Sequence, residues 1–239
     1  MERKEKVKMR MRCLIILLIA AFPLLTFSQD KGKVRFNAGV KAGFQAVTYN
    51  DPEFDIEGYQ FDTNNIQSNK IGYAFSLFAR ITKNKYYLQT EATFGITNHS
   101  FDFYDIQESH DGNFIPNNTV YDLRTYCIQV PILFGYNIVE RGRYGLGIFT
   151  GPRTKFILSS LSQQNFKHFK YEQLEEVLND KTYYWEVGLG IKIDRVFLDI
   201  TYDVGLNKAA THIISHSDGK TFSSSRHDNI LSFSVGFIF

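Results

Sequence analysis

The side chains that could do chemistry in this chain are scattered, and their spacing excludes more than it asserts. Residues 51–57, Asp-Pro-Glu-Phe-Asp-Ile-Glu, alternate carboxylates as a calcium loop does. Such a loop needs glycine at its sixth position for a sharp turn, and Ile56 stands there, so that motif is absent. His212 and His216 are four residues apart, a spacing that would face a zinc ion only from a helix. The stretch Thr-His-Ile-Ile-Ser-His-Ser-Asp-Gly around them reads instead as a loop or strand extension. Histidines, serines and aspartates are present, but no Ser/His/Asp set is distinguishable by spacing. Thr-Gly-Pro-Arg-Thr-Lys (150–155) is no phosphate loop, and Tyr-Gly-Leu-Gly (144–147) lacks the strand-to-helix setting of a dinucleotide fingerprint. No cofactor and no metal is expected.

The bulk composition places the chain outside the cytoplasm. Residues 1–12 carry six Lys/Arg against two Glu, and residues 14–25 form an apolar run of 12 followed by Thr-Phe-Ser-Gln. A basic start, a short apolar stretch and a small residue at the cut describe a secretory signal peptide, with cleavage expected after Ser28. Twelve apolar residues are too few for a spanning helix, which needs about 20. Residues 29–239 then form one domain. It carries 21 basic and 23 acidic side chains, so the nominal charge of +2 belongs to the leader and nothing suggests a nucleic-acid partner. Cys13 precedes the apolar run and cannot be a lipidated cysteine, and Cys127 has no second cysteine to pair with.

What must position the charged residues is a set of eight segments in which apolar and polar residues alternate with period two. Short links are expected at 82–85, 137–142 and 194–195, and long ones at roughly 45–69, 98–120, 152–182 and 205–227. Strict alternation of link length sends every long link to one end of an up-and-down sheet. The third long link contains Tyr-Glu-Gln-Leu-Glu-Glu-Val-Leu-Asn-Asp (171–180), which by composition is expected to form a short helix. Pro131 falls on the polar face of the fourth segment, where a bulge or bend is expected.

Eight up-and-down strands close into a barrel, which removes aggregation-prone edges. The polar faces are dominated by Gly, Ser, Thr and Asn, which make a poor water-facing surface but fit a crowded interior. The apolar faces therefore meet lipid, and Tyr86, Tyr136, Tyr144, Trp185 and Tyr202 near segment ends suit interfacial girdles. The expectation is an all-β, eight-stranded antiparallel transmembrane β-barrel with short periplasmic turns and long extracellular loops, in the cell outer membrane.

Parity then gathers the charges. Arg35, Lys41, Arg80 and Lys192 face inward with Glu91, Glu186, Asp199 and Asp203, four against four. Lys41, Glu91, Glu186 and Asp203 are expected near mid-barrel, where charges must be paired and hydrogen-bonded. A structural ion-pair network filling the lumen is the favoured reading, with a conduction path or a catalytic carboxylate pair as alternatives. The first two long links hold nine acids and no Lys or Arg within 46–69 and 98–119, a solvated surface or a site of ion-bridged contact with lipopolysaccharide or a basic partner.

Several stretches resemble the PorT-like outer-membrane β-barrel proteins of Gram-negative envelopes. They are Phe-Asn-Ala-Gly-Val-Lys-Ala-Gly-Phe (36–44), the segment 79–95, Tyr-Cys-Ile-Gln-Val-Pro-Ile-Leu-Phe-Gly-Tyr (126–136), residues 144–152, residues 197–206 and the terminal Leu-Ser-Phe-Ser-Val-Gly-Phe-Ile-Phe (231–239). Where the family tends to carry Glu-Ile-Pro and Pro-Glu, this chain has Gln129-Val130-Pro131 and Thr90-Glu91. The resemblance implies architecture and location rather than an activity, since some members serve protein secretion and most have no assigned role. It also implies that Phe239, with Phe237 behind it, is the signal read by the outer-membrane assembly machinery. Partners expected are outer-membrane lipid and lipopolysaccharide, the assembly machinery and a protein at the extracellular loops. The chain is expected to be a non-enzymatic monomer displaying its loops for binding, adhesion or envelope organisation, with a component of a protein secretion machine or a lipid-modifying or proteolytic barrel enzyme as the alternatives.

Overall fold

The computed structural model describes residues 34–55, 59–61, 71–105, 119–165, 174–216 and 218–239. The expected leader (1–28) and parts of the first three long links lie outside them. Eleven strands follow in chain order: β1 (Val34–Asp55), β2 (Tyr59–Phe61), β3 (Gly72–Lys83), β4 (Tyr86–Asp105), β5 (Thr119–Arg141), β6 (Tyr144–Asn165), β7 (Leu174–Leu178), β8 (Lys181–Ile193), β9 (Val196–Gly205), β10 (Ala210–Ser215) and β11 (Thr221–Ile238). Eight form a closed antiparallel ring, β1-β3-β4-β5-β6-β8-β9-β11, and β11 pairs back onto β1 from Gly39↔Ile238 to Asp55↔Ser223. Partners of Lys41 run one way through Ser76, Thr93, Gln129 and Lys155 to Thr182 on β8. The other way they run through Gly236 and Phe197 to Lys192 on the same strand, a stagger of ten residues. Eight strands at that shear enclose a space that side chains alone can fill.

The short links are tight turns. Asn84, Asp194 and Gly142 adopt left-handed φ of 57°, 58° and 58°, the geometry that lets two strands reverse within two residues. The outer face is apolar from Val34 to Phe44 on β1 and from Val196 to Val204 on β9. Eleven residues at about 3.3 Å each, inclined as barrel strands are, cover the ~25 Å lipid band. Tyr86, Tyr136 and Tyr144 ring the turn end, with the Tyr86 and Tyr136 rings 5.1 Å apart, and Tyr73, Tyr183 and Trp185 ring the other. One step further out the same face turns polar: the side chains of Asn98, Arg124 and Asn207 hydrogen-bond there in exposed positions.

Near the turn end, glycines lie beneath aromatic rings of the next strand. Tyr87 covers Gly135, Phe149 covers Gly188, and Phe197 covers Gly236, all directly cross-strand. A Cβ on Gly236 would stand 2.2 Å from Phe197 Cζ. The absent side chains are what allow buried rings to lie flat against the wall.

Three expectations differ from the structure. Residues 174–178 form strand β7, not part of a helix; Leu174 and Glu176 are buried while Glu175 is exposed, so pairing with β10 outweighs the helical propensity of the segment. Pro131 interrupts the β4 ladder between Thr90↔Ile132 and Thr93↔Gln129 without shifting its register, and the bulges of β5 fall at Tyr126/Cys127 and Asn137/Val139. Strands β4, β5 and β6 extend well beyond the lipid band, so much of the long links is sheet. There β10 takes over the edge of β11 that β9 leaves, β7 pairs with β10, and β2 pairs with the end of β4.

Candidate functional site

Alternation along each ring strand delivers every second side chain into the lumen, and the inward charges meet there in two connected groups. Lys41 Nζ of β1 lies 2.7 Å from Glu91 Oε1 of β4 and 3.6 Å from Asp199 Oδ2 of β9. Arg153 of β6 reaches across the lumen: its Nη2 is 2.7 Å from Glu186 Oε2 and its Nη1 2.7 Å from Asp203 Oδ2. Glu186 and Asp203 are direct cross-strand neighbours on β8 and β9. Amides extend each group, Gln89 donating to Glu91 at 2.6 Å in the first and Arg153 Nη1 donating to Gln129 at 2.9 Å in the second, with Gln129 exchanging bonds with Gln45. Lys41, Glu91, Arg153, Glu186, Asp199 and Asp203 are all buried. The network thus ties β1, β4, β5, β6, β8 and β9, mostly between strands that are not neighbours in the ring. A void of only about 20 Å³ remains between Lys41, Glu91, Arg153, Thr201 and Ser232.

Arg80 lies below this network and makes no ion pair among the described residues: its Nε donates to Gln89 at 2.5 Å and its guanidinium stacks 4.3 Å from the Tyr87 ring. Arg35 pairs with Glu140 at 2.6 Å at the turn-end mouth. Parity does not gather Arg153 with the other charges, because the expected segment stops at Gly151. Continuing the alternation of Gly145, Gly147 and Gly151 places Arg153 and Lys155 inside, and that signal was present.

A second buried cluster sits beyond the lipid band. Arg226 of β11 donates to both Glu176 oxygens of β7 at 3.0 Å and to Asp228 at 2.6 Å. The rings of Tyr49 and Phe101 face its guanidinium at 5.5 and 5.2 Å. His99 Nδ1 lies 3.3 Å from Arg226 Nη1 and 2.9 Å from Tyr49 Oη. Arginine can only donate, so Nδ1 accepts and the imidazole is neutral with its proton on Nε2. Burial, with Arg226 and Lys155 close by, pushes the His99 pKa well below its usual value. Glu176 belongs to the segment expected to be helical, which is why the cluster is not visible in the sequence pattern.

The other candidates stay apart. His212 bonds Thr211 at 3.0 Å and His216 bonds Glu175 at 2.8 Å, each on its own partner. No group of three or more metal-ligating side chains occurs among the described residues. Of the acidic links, Glu57, Asp62, Glu108 and Asp111 lie outside the described residues. At the end of β11, Phe237 packs edge-on against Phe239 with centroids 5.9 Å apart, and the Phe239 amide donates to Ala38 at 2.9 Å. Its ring is 71% exposed on the lipid face.

A family model described as "Outer membrane protein beta-barrel domain" matches residues 27–210. No curated protein matches the chain in sequence. Among solved structures, the outer membrane protein OprG of Pseudomonas aeruginosa is 10% identical, covers 87% of this chain and 98% of its own, and superposes with a TM-score of 0.49. Neisserial surface protein A is 11% identical over 87% of this chain and all of its own (TM-score 0.40). The outer membrane protease OmpT of Escherichia coli is 9% identical over 90% of this chain and 99% of its own (TM-score 0.45).

Proposed function

The chain belongs to the outer-membrane protein β-barrel family, and from that premise we propose that it is a non-enzymatic barrel, filled by its own side chains, that holds extracellular loops out for binding, adhesion or envelope organisation. The observation that carries this reading is the bracing by Lys41 and Arg153, which fills the middle of the lumen with buried, paired side chains where a porin would hold water. The strands that outrun the lipid band, held by Arg226 and Glu176, supply a built platform for the loops. Export through a cleaved leader of residues 1–28, assembly through the terminal Phe239, contact with lipopolysaccharide and a monomeric state all belong to this proposal.

Planar-bilayer recording of the purified full barrel tests it. The expected result is no stepwise conductance; stable conductance steps from the wild-type chain would overturn the filled-lumen reading. The motifs shared with PorT-like proteins favour a second reading, a component of an outer-membrane secretion machine. Recovery of a stoichiometric envelope complex with the detergent-extracted barrel would select it.

A further inference from the structure

The extracellular platform does not account for the opposite end of the barrel. A cavity of about 240 Å³ opens there, inside the ring of tight turns. At roughly 30 Å³ of liquid volume per water, it is the size of a small organic molecule rather than of a trapped water. Its room comes from Gly145, Gly147 and Gly190, and its floor from the Tyr87 and Phe197 rings.

Four cations line it: Arg35, Arg80, Lys192 and Arg195. The acids in its wall are Glu140, Asp194 and Asp199. Two of these are already engaged, Glu140 with Arg35 at 2.6 Å and Asp199 with Lys41 above the cavity. That leaves Arg80, Lys192 and Arg195 facing Asp194, and among the described residues no ion pair forms to any of the three. Arg80 uses Nε on Gln89 and is held flat by Tyr87, so its two terminal nitrogens keep their donors without a carboxylate. A guanidinium fixed in orientation, sharing one recess with an ammonium, is the arrangement that takes an oxyanion by charge-assisted hydrogen bonds.

We propose that the periplasmic mouth is a binding site for a small oxyanion, a phosphate or carboxylate group, gripped by Arg80 and Lys192. The site is independent of the loop platform: it faces the other compartment and shares no residue with the Arg226 cluster. Because the lumen above is braced shut, the anion enters and leaves from the periplasm and does not cross.

The test is titration of the full-length barrel in detergent with inorganic phosphate and, separately, with succinate, at fixed ionic strength, followed by calorimetry. Saturable binding of either probe is expected, weakened at least tenfold by Lys192→Gln and by Arg80→Gln. Tighter phosphate binding assigns a phosphoryl ligand, and tighter succinate binding a carboxylate. Lys192 is partly exposed and has no ion-pair partner among the described residues, so Lys192→Gln keeps the test readable if Arg80→Gln fails to fold. No saturable binding of either probe by the wild-type chain, or equal binding by a folded Lys192→Gln barrel, would overturn the proposal.

Discussion

Glu186 and Asp203 stand directly opposite each other on adjacent strands, and one guanidinium, that of Arg153 two strands from Asp203, bonds to both. Two carboxylates held this close repel unless a cation is shared between them. Arg153 also covers Gln129. Removing it therefore leaves two carboxylates buried without their cation, while Gln129 keeps its bond from Gln45.

Arg153→Met is expected to destabilise the barrel by about 3–5 kcal/mol, the range for breaking one side of a buried ion pair. Urea unfolding in lipid vesicles measures it. Adding Glu186→Gln and Asp203→Asn to the same background should recover a large part of the loss, because the uncompensated charges are then gone. A triple variant no more stable than Arg153→Met would show that volume, not charge, dominates at this position.

Glu91→Leu removes the acceptor of both Lys41 and Gln89. Folded yield is expected to fall, by about 3 kcal/mol in unfolding free energy. Bilayer conductance is expected to stay absent, since Arg153, Glu186 and Asp203 still span the lumen. Unchanged stability together with new conductance would contradict the bracing role.

Gly236→Ala places a methyl group 2.2 Å from the Phe197 ring and 2.8 Å from the Val40 carbonyl oxygen. Overpacking of this kind costs about 1–3 kcal/mol. Pairing it with Phe197→Leu should recover the part due to the ring and leave the part due to the backbone. Unfolding midpoints of the two variants separate these contributions.

Acid should loosen the loop platform. His99 is held neutral in the folded chain with its pKa pushed well below the usual 6.5, while in the unfolded chain it protonates normally. The unfolded state thus binds the extra proton as pH falls through about 6.5, so the stability is full above that value and is lost below it. At pH 5 the loss reaches about 2 kcal/mol. Amide exchange across β7 and upper β11 should quicken between pH 7 and 5, and His99→Gln should flatten that dependence.

Deleting Phe239 removes one largely exposed ring and one backbone hydrogen bond to Ala38. Refolding of the purified chain in detergent should be barely affected. Insertion in cells should drop severalfold, read as the heat-modifiable band in outer-membrane fractions. Equal insertion would remove Phe239 as an assembly signal.

The ring itself was legible from residue order, because a lipid-facing strand states its period on both faces at once. Leu198 to Val204 alternates apolar and polar without a break, and the structure keeps every one of those faces, with Phe197 the one apolar residue turned inward on that strand. Beyond the lipid band that rule lapses: both faces of a strand are polar or mixed there, and β7 is disguised by Leu-Glu-Glu-Val-Leu, a string of good helix formers. Glu91, Lys41, Glu186, Asp199 and Asp203 could be placed inside by parity, yet their partners could not, since contacts between non-adjacent strands depend on the stagger of the ring. Arg153 lay one alternation past the expected end of its segment.

The seam between β1 and β11 joins residues almost two hundred positions apart, from Gly39 and Ile238 upward. Every other ring pairing joins residues far closer in sequence, three of them (β3–β4, β5–β6 and β8–β9) directly from a tight turn. The seam alone must wait for both ends of the domain, and loop-closure entropy makes such long-range pairing slow. Until it forms, β1 and β11 each present a long unpaired edge rich in Phe and Val, the kind of surface that recruits other chains. The folding bottleneck and the aggregation hazard of this protein therefore reside in the same two strands, and a carrier that shields them during transit protects the whole barrel.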